Sequence, residues 1–148
     1  MNVLVDTGFW FAYYDSSDSF HQVAVSIMDL LDNHNILIPF PSLYETINTR
    51  FSKKKKWMEH FKALINNPNC TLIPDDSYKE MTLELSMNSA IEKDRAISMV
   101  DMIIRQMLDD VNLRSDALIT FNPEDFADVC RKKNKVMISD SNIATYLK

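Results

Sequence analysis

The stretch Val3-Leu4-Val5-Asp6-Thr7-Gly8 joins a short apolar run to a carboxylate and to the only glycine in the chain. A run of Val and Leu closed by turn-forming residues reads as a buried strand. In open α/β sheets ligands bind beyond the carboxyl ends of the strands, so Asp6 stands where such a crevice opens. Asp6 can equally be an ordinary strand-end residue that opens a turn with Thr7 and Gly8. The continuous apolar run before it favours a carboxylate drawn partly out of water, which then needs a metal or a hydrogen-bond donor.

Beyond this strand the pattern alternates. Phe9 to Tyr14 is aromatic, and Ser17 or Asp18 is placed to cap a helix from about Ser19 to Leu31, which Asn33-His34-Asn35 breaks. Ile36 to Pro39 reads as a second strand, followed by helices near Ser42 to Phe51 and Lys56 to Ile65. Thr71 to Pro74 is a third strand, and helices from Ser77 to Ala90 and from Arg95 to Leu108 follow. Ala117 to Phe121 and Val136 to Ile138 complete the strands. Short apolar strands separated by helices, without tight hairpin turns, predict a mainly parallel sheet of about five strands covered on both faces.

Composition narrows the classes. With 148 residues and 46% apolar content, residues 1–148 are expected to form a single domain with a full core. No apolar stretch is long enough to span a bilayer and no basic-then-apolar leader opens the sequence, so a cytoplasmic protein with no membrane partner is expected. Cys70 and Cys130 lack metal-site spacing and read as packed thiols, and His21, His34 and His60 read as surface residues. One glycine excludes a phosphate-cradling loop, which needs several. The net charge of -5 argues against a protein that coats nucleic acid, but a cluster of metal-binding carboxylates would itself make a nuclease acidic.

Four further positions carry chemistry. Glu45 completes Ser42-Leu43-Tyr44-Glu45, which fits a capping box, and it also follows the second strand closely enough to lie near the sheet's carboxyl end. Asp101 falls among Ile97, Val100, Ile104 and Leu108 on an apolar helix stripe, where a carboxylate demands a partner: a functional cation, or an ion pair with Arg95 or Arg105. Asn122-Pro123-Glu124-Asp125 has the form of an ordinary helix start, yet it also points Asn122 and Asp125 at a strand end that could lie beside Asp6. Oxygen donors of this kind suit Mg²⁺ or Mn²⁺ better than zinc, and the matching chemistry is metal-assisted hydrolysis. No Ser/His or Cys/His pairing suggests a nucleophile.

These residues resemble the PIN domain, and within it the VapC-like toxin ribonucleases. The matching pieces are Val5-Asp6-Thr7-Gly8, Pro41-Ser42-Leu43-Tyr44-Glu45, Ser98-Met99-Val100-Asp101 and Leu118-Ile119-Thr120-Phe121-Asn122-Pro123-Glu124-Asp125-Phe126, and in order they cover nearly the whole chain. The resemblance implies a three-layer α/β/α sandwich and a Mg²⁺- or Mn²⁺-dependent endoribonuclease. It implies Asp6, Glu45 and Asp101 as metal ligands, Asn122 and Asp125 as further catalytic positions, and Thr7, Ser98 and Thr120 as supporting hydroxyls. The family commonly has Asp where this chain has Asn122, which implies one firmly held metal here. It also implies an antitoxin partner and a homodimer.

Lys53-Lys54-Lys55-Lys56 with Trp57 is a dense basic run that reads either as a solvated face or as an RNA-binding strip, with Trp57 or Phe9-Trp10-Phe11 stacking a base. The aromatic residues from Phe9 to Tyr14 read either as core or as an interface. Two other classes stand beside the nuclease. One is a PIN-fold module that binds RNA or protein without cleaving; the other is an aspartyl-nucleophile phosphatase, disfavoured because Gly8 occupies the position of its second Asp.

Overall fold

The computed structural model describes residues 1–92 and 95–139. In chain order it runs β1 (Asn2–Val5), α1 (Thr7–Tyr14), α2 (His21–Leu31), β2 (Asn35–Pro39), α3 (Phe40–Thr46), α4 (Thr49–Ser52), α5 (Lys55–Ile65), β3 (Cys70–Ile73), α6 (Lys79–Glu92), α7 (Met99–Asp109), β4 (Ala117–Ile119), a 3-10 turn (Pro123–Asp125), α8 (Ala127–Lys133) and β5 (Val136–Ile138). The strands form one sheet in the order β3-β2-β1-β4-β5, and every neighbouring pair is parallel. The chain builds outward from β1 through β2 to β3, then returns to add β4 and β5 on the other side. The order reverses between β1 and β4, where the crevice of a doubly wound sheet opens.

Strand alternation produces the three layers. Val3, Val5, Ile36, Ile38, Ala117 and Ile119 pack on one face against Phe9 and Trp10 of α1, Ile27 and Leu31 of α2 and Phe61 of α5. Leu4, Leu37 and Leu118 pack on the other against Ile104 and Leu108 of α7 and against Phe126 and Val129. Since both faces are covered, the central strands carry no polar residue until they reach the sheet's edge, and Val3, Leu4 and Val5 are wholly buried.

The aromatic run belongs to the core. Phe9 and Trp10 are fully buried, and Tyr14 packs edge-on against Phe51 and Phe61, so Phe9 and Trp10 cannot stack an RNA base. The helix expected from Ser42 to Phe51 is two helices, because the chain leaves helical geometry at Ile47 and Asn48 caps α4 by accepting from the Phe51 N–H at 3.0 Å. The helix expected from Arg95 begins at Met99, since the Ser98 hydroxyl caps it. His21 and His34 are half-buried rather than on the surface, while Cys130 is a buried free thiol and Cys70 a half-buried one.

Gly8 also differs from expectation. It lies in the first turn of α1 with an unexceptional φ, and a Cβ built there meets only the Asp6 Oδ2 within 4 Å, at 3.9 Å. Nothing in the backbone demands glycine. Gly8→Ala is therefore expected to stabilise the metal-free protein by about 0.5–1 kcal/mol, by limiting the unfolded chain and favouring helix. Denaturant titration checks this, and a loss of stability would mean that the turn needs glycine after all.

Candidate active site

Asp6 is the first residue past β1, and its N–H still continues the ladder by donating to the Ile119 carbonyl at 3.0 Å. Its side chain then serves as the N-cap of α1 and accepts from the Thr7 N–H at 2.6 Å. Its other oxygen accepts from Thr120 Oγ1 at 2.9 Å, across the β1/β4 switch point. Thr120 Oγ1 in turn accepts from the Asn122 N–H at 3.0 Å. One hydroxyl thus fixes both the Asp6 carboxylate and the start of the segment after β4.

Burial pushes the Asp6 carboxyl up to about 7, and the nearby Asp101 charge adds to it. The Thr120 hydroxyl and the Thr7 N–H oppose the rise, and Glu45 contributes to it. Asp101 is raised as well, first by burial, with the Ser98 hydroxyl opposing and Asp125 and Glu45 raising. Carboxylates from four segments of the chain therefore act on one another: the end of β1, α3, the first turn of α7 and the 3-10 turn.

Two helix N-termini face this group. Asp6 caps α1, and Asp101 lies in the first turn of α7, where its N–H donates to Ser98 Oγ at 3.0 Å. Both positions favour negative charge through the unpaired N–H groups and the helix dipole. Glu45 is exposed on α3. The capping box expected around it does not form, because α3 starts at Phe40 and Ser42 lies inside it as a buried residue whose hydroxyl has no hydrogen-bond partner among the described residues. Freed from a cap, the Glu45 carboxylate acts electrostatically on Asp6 and Asp101.

Asn122 does not cap α8, which starts only at Ala127. Its Nδ2 donates instead to Asp125 Oδ2 at 2.5 Å. Nor does Asp101 pair with an arginine. Arg105 grips Asp128 with two hydrogen bonds, at 2.6 and 2.7 Å, and Arg95 reaches the same carboxylate at 3.2 Å. Arg105 also donates to the Asp125 carbonyl, and Arg95 to that of Glu124 at 3.3 Å. Sequence reasoning missed Asp128: the pattern offers Arg95 and Arg105 only as partners for Asp101, and nothing local marks Asp128 as the acid that holds them instead.

Among the described residues, no three His, Cys, Asp or Glu side chains make a ready cage for an ion. A hard cation such as Mg²⁺ keeps several waters, so these acids would reach one in part through water. The donors here are all oxygens, and a buried carboxyl whose strongest charged neighbour is another carboxylate is one that a cation would relieve.

No family model matches the sequence, and a search of curated proteins returns no match. Solved structures do match. VapC20 of Mycobacterium tuberculosis, a toxin that cleaves the sarcin-ricin loop, superposes with a TM-score of 0.67 at 16% identity, over 85% of this chain and 94% of that one. VapBC2 of Rickettsia felis, solved bound to a DNA fragment from its promoter, does so with a TM-score of 0.60 at 17% identity, over 93% of this chain and 98% of the other. The fold is a VapC-like PIN-domain fold. Within it, the strand-end, α3 and α7 pieces that carry the sequence resemblance are the segments whose carboxylates interact.

The lysine run is exposed at the start of α5, with Lys54 Nζ 5.7 Å from the centre of the Trp57 ring. Trp57 is half-buried beside Phe51 and Tyr14. The first test of the site needs no substrate. The folded Asp6 carboxyl keeps its proton up to about pH 7, whereas the unfolded one loses it near 3.8, so the folded chain binds more protons in that window. Stability of the metal-free protein must then fall as pH climbs from about 4 to 7. Asp6→Asn removes this penalty and is expected to be more stable than the parent at pH 8 by on the order of 2 kcal/mol, with the gain shrinking toward pH 4. Urea titrations at several pH values measure it; a gain independent of pH would contradict the assignment.

Proposed function

We propose that this protein is a Mg²⁺- or Mn²⁺-dependent endoribonuclease acting as the toxin of a toxin–antitoxin pair. The observation that carries the proposal is the buried Asp6 carboxylate at the switch point, crowded by Asp101 and Glu45 and held by Thr120 and the α1 N-terminus. Asp6, Asp101 and Glu45 would hold the cation, directly or through water. When bound, such a cation supplies an acidified water and neutralises charge on a phosphodiester.

The protein's own groups then have separable tasks. Thr120 and the Thr7 N–H point the Asp6 oxygens and keep its carboxylate from rotating. Ser98 fixes the first turn of α7 and so the place of Asp101. Asn122 holds Asp125 in place, while Arg105 and Arg95 anchor the turn that carries it. Asn122 itself adds no charge, which favours one firmly bound cation. Lys53, Lys54, Lys55 and Lys56, with Trp57 beside them, would attract the phosphates on one side of the cleavage point.

The toxin role and an antitoxin partner are supported by the fold shared with VapC20 and VapBC2. No described helix is long and apolar enough to cross a membrane. A PIN-fold module that binds without cleaving is the second reading, and Asn122 is the feature that favours it.

Purified protein is expected to cut single-stranded or looped RNA with Mg²⁺ or Mn²⁺, to stop in chelator, and to lose at least about a hundredfold in rate as Asp101→Asn. Cleavage that persists in chelator or in the variant would place the chemistry elsewhere. Lys54→Glu should weaken RNA binding and lower the slope of log affinity against log salt by about 1 to 2. Identical slopes for parent and variant would reduce the lysine run to a solvated face.

A further inference from the structure

At the carboxyl ends of β2 and β3 the sheet carries a second, chemically different recess. Pro39 of β2 pairs in register with Ile73 of β3, so Phe40 and Pro74, which follow them, emerge side by side at the carboxyl edge. Phe40, Tyr44, Pro74, Asp75, Asp76 and Lys79 line a cavity of about 440 Å³ there. Tyr44 is 69% exposed and Phe40 37%, and their rings meet edge-to-face at 5.6 Å. Tyr44 directly precedes Glu45 on α3, so the recess shares that helix and the carboxyl edge of the sheet with the proposed catalytic acids.

The two rings give it an apolar wall that neither core cluster uses. Its polar wall is acidic. Asp76 is engaged by Lys79 Nζ at 3.1 Å. The half-buried Asp75 carries out its helix-starting role through its backbone carbonyl, which accepts from the N–H groups of Tyr78 at 2.9 Å and Lys79 at 3.0 Å. Among the described residues no hydrogen bond to its carboxylate is found. The recess therefore offers two aromatic faces and a free acceptor pair, with net negative charge.

A phosphate is repelled by that charge, and an aliphatic side chain would leave the carboxylate unsatisfied. A nucleobase suits both walls. Its π-face stacks on tyrosine or phenylalanine, and an exocyclic amino group donates to the carboxylate. We propose that Phe40, Tyr44 and Asp75 form a subsite for one base of the bound RNA, on the same edge of the sheet as the proposed catalytic acids, selecting bases with an exocyclic amino group over uracil. The inference rests on the nuclease reading above and supplies it with a source of sequence preference, which the catalytic acids themselves do not provide.

The test uses the full chain as Asp101→Asn, to prevent cleavage, and short labelled oligouridylates that are unbroken or carry one central guanosine, adenosine or cytidine. Fluorescence anisotropy is expected to show tighter binding of at least one substituted strand than of the all-uridine strand. Tyr44→Ala should weaken binding of that strand roughly tenfold, and Tyr44→Phe should restore most of the loss. Because Tyr44 is exposed, its truncation leaves the core intact. Asp75→Ala, which removes the acceptor, should bring the four strands to within about twofold of one another. Equal affinities for all four strands on the parent, or a Tyr44→Ala variant that binds as the parent does, would overturn the subsite. A parent without the Asp101 substitution that fails to cut any of these RNAs with Mg²⁺ or Mn²⁺ would overturn the nuclease reading instead, since the binding comparison does not depend on cleavage.

Discussion

The hydrogen bond from Thr120 to Asp6 is the constraint on which the site depends. It joins the ends of β1 and β4, the two strands between which the sheet changes direction, and it does so in a place from which water is excluded. A carboxylate in such a place must be given donors or a cation. The chain supplies two donors, the Thr120 hydroxyl and the Thr7 N–H, and two further carboxylates that act against them. What remains is a buried carboxyl whose ionised form burial and its acidic neighbours disfavour, and which therefore contributes poorly to stability once it is charged. Functional sites commonly carry such a deficit, with the surrounding core offsetting it.

The arginines show how the deficit is kept local. Arg105 and Arg95 lie close enough in the chain to Asp101 to have neutralised it, but both are committed to Asp128 and to the carbonyls of the turn between β4 and α8. Their hold depresses the Asp128 carboxyl well below the ordinary range and leaves the acids at the crevice without an arginine partner. The same clamp sets the position of Asp125, and through it Asn122. A basic pair that could have closed the site thus braces it from behind.

The strand positions were legible because burial on both faces of a parallel sheet imposes uninterrupted apolar runs, and each of Val3–Val5, Ile36–Ile38 and Ala117–Ile119 shows one. Asp6 and Asp101 stood out for the same reason, as charges beside or within apolar patterns. Boundaries and caps were less legible. Ser42 looked like an N-cap because of Glu45 three residues on, yet the helix could begin two residues earlier with proline in its first turn. Asn122 looked like a cap too, but the nearest acceptor for its amide was Asp125. Local rules name several acceptable hydrogen bonds for such residues, and packing chooses among them.

By itself the sequence determined the strand-and-helix alternation, the oxygen chemistry of the candidate residues and the absence of a glycine-rich phosphate loop, because these follow from residue type and period. Only the tertiary structure decided that the order of strands reverses between β1 and β4, that Thr120 reaches Asp6, that the arginines choose Asp128, and that Phe40 and Tyr44 line an open recess with Pro74 and Asp75. Each of those outcomes joins residues far apart in the chain. Their partners are set by which strands lie side by side, and no local pattern encodes that adjacency.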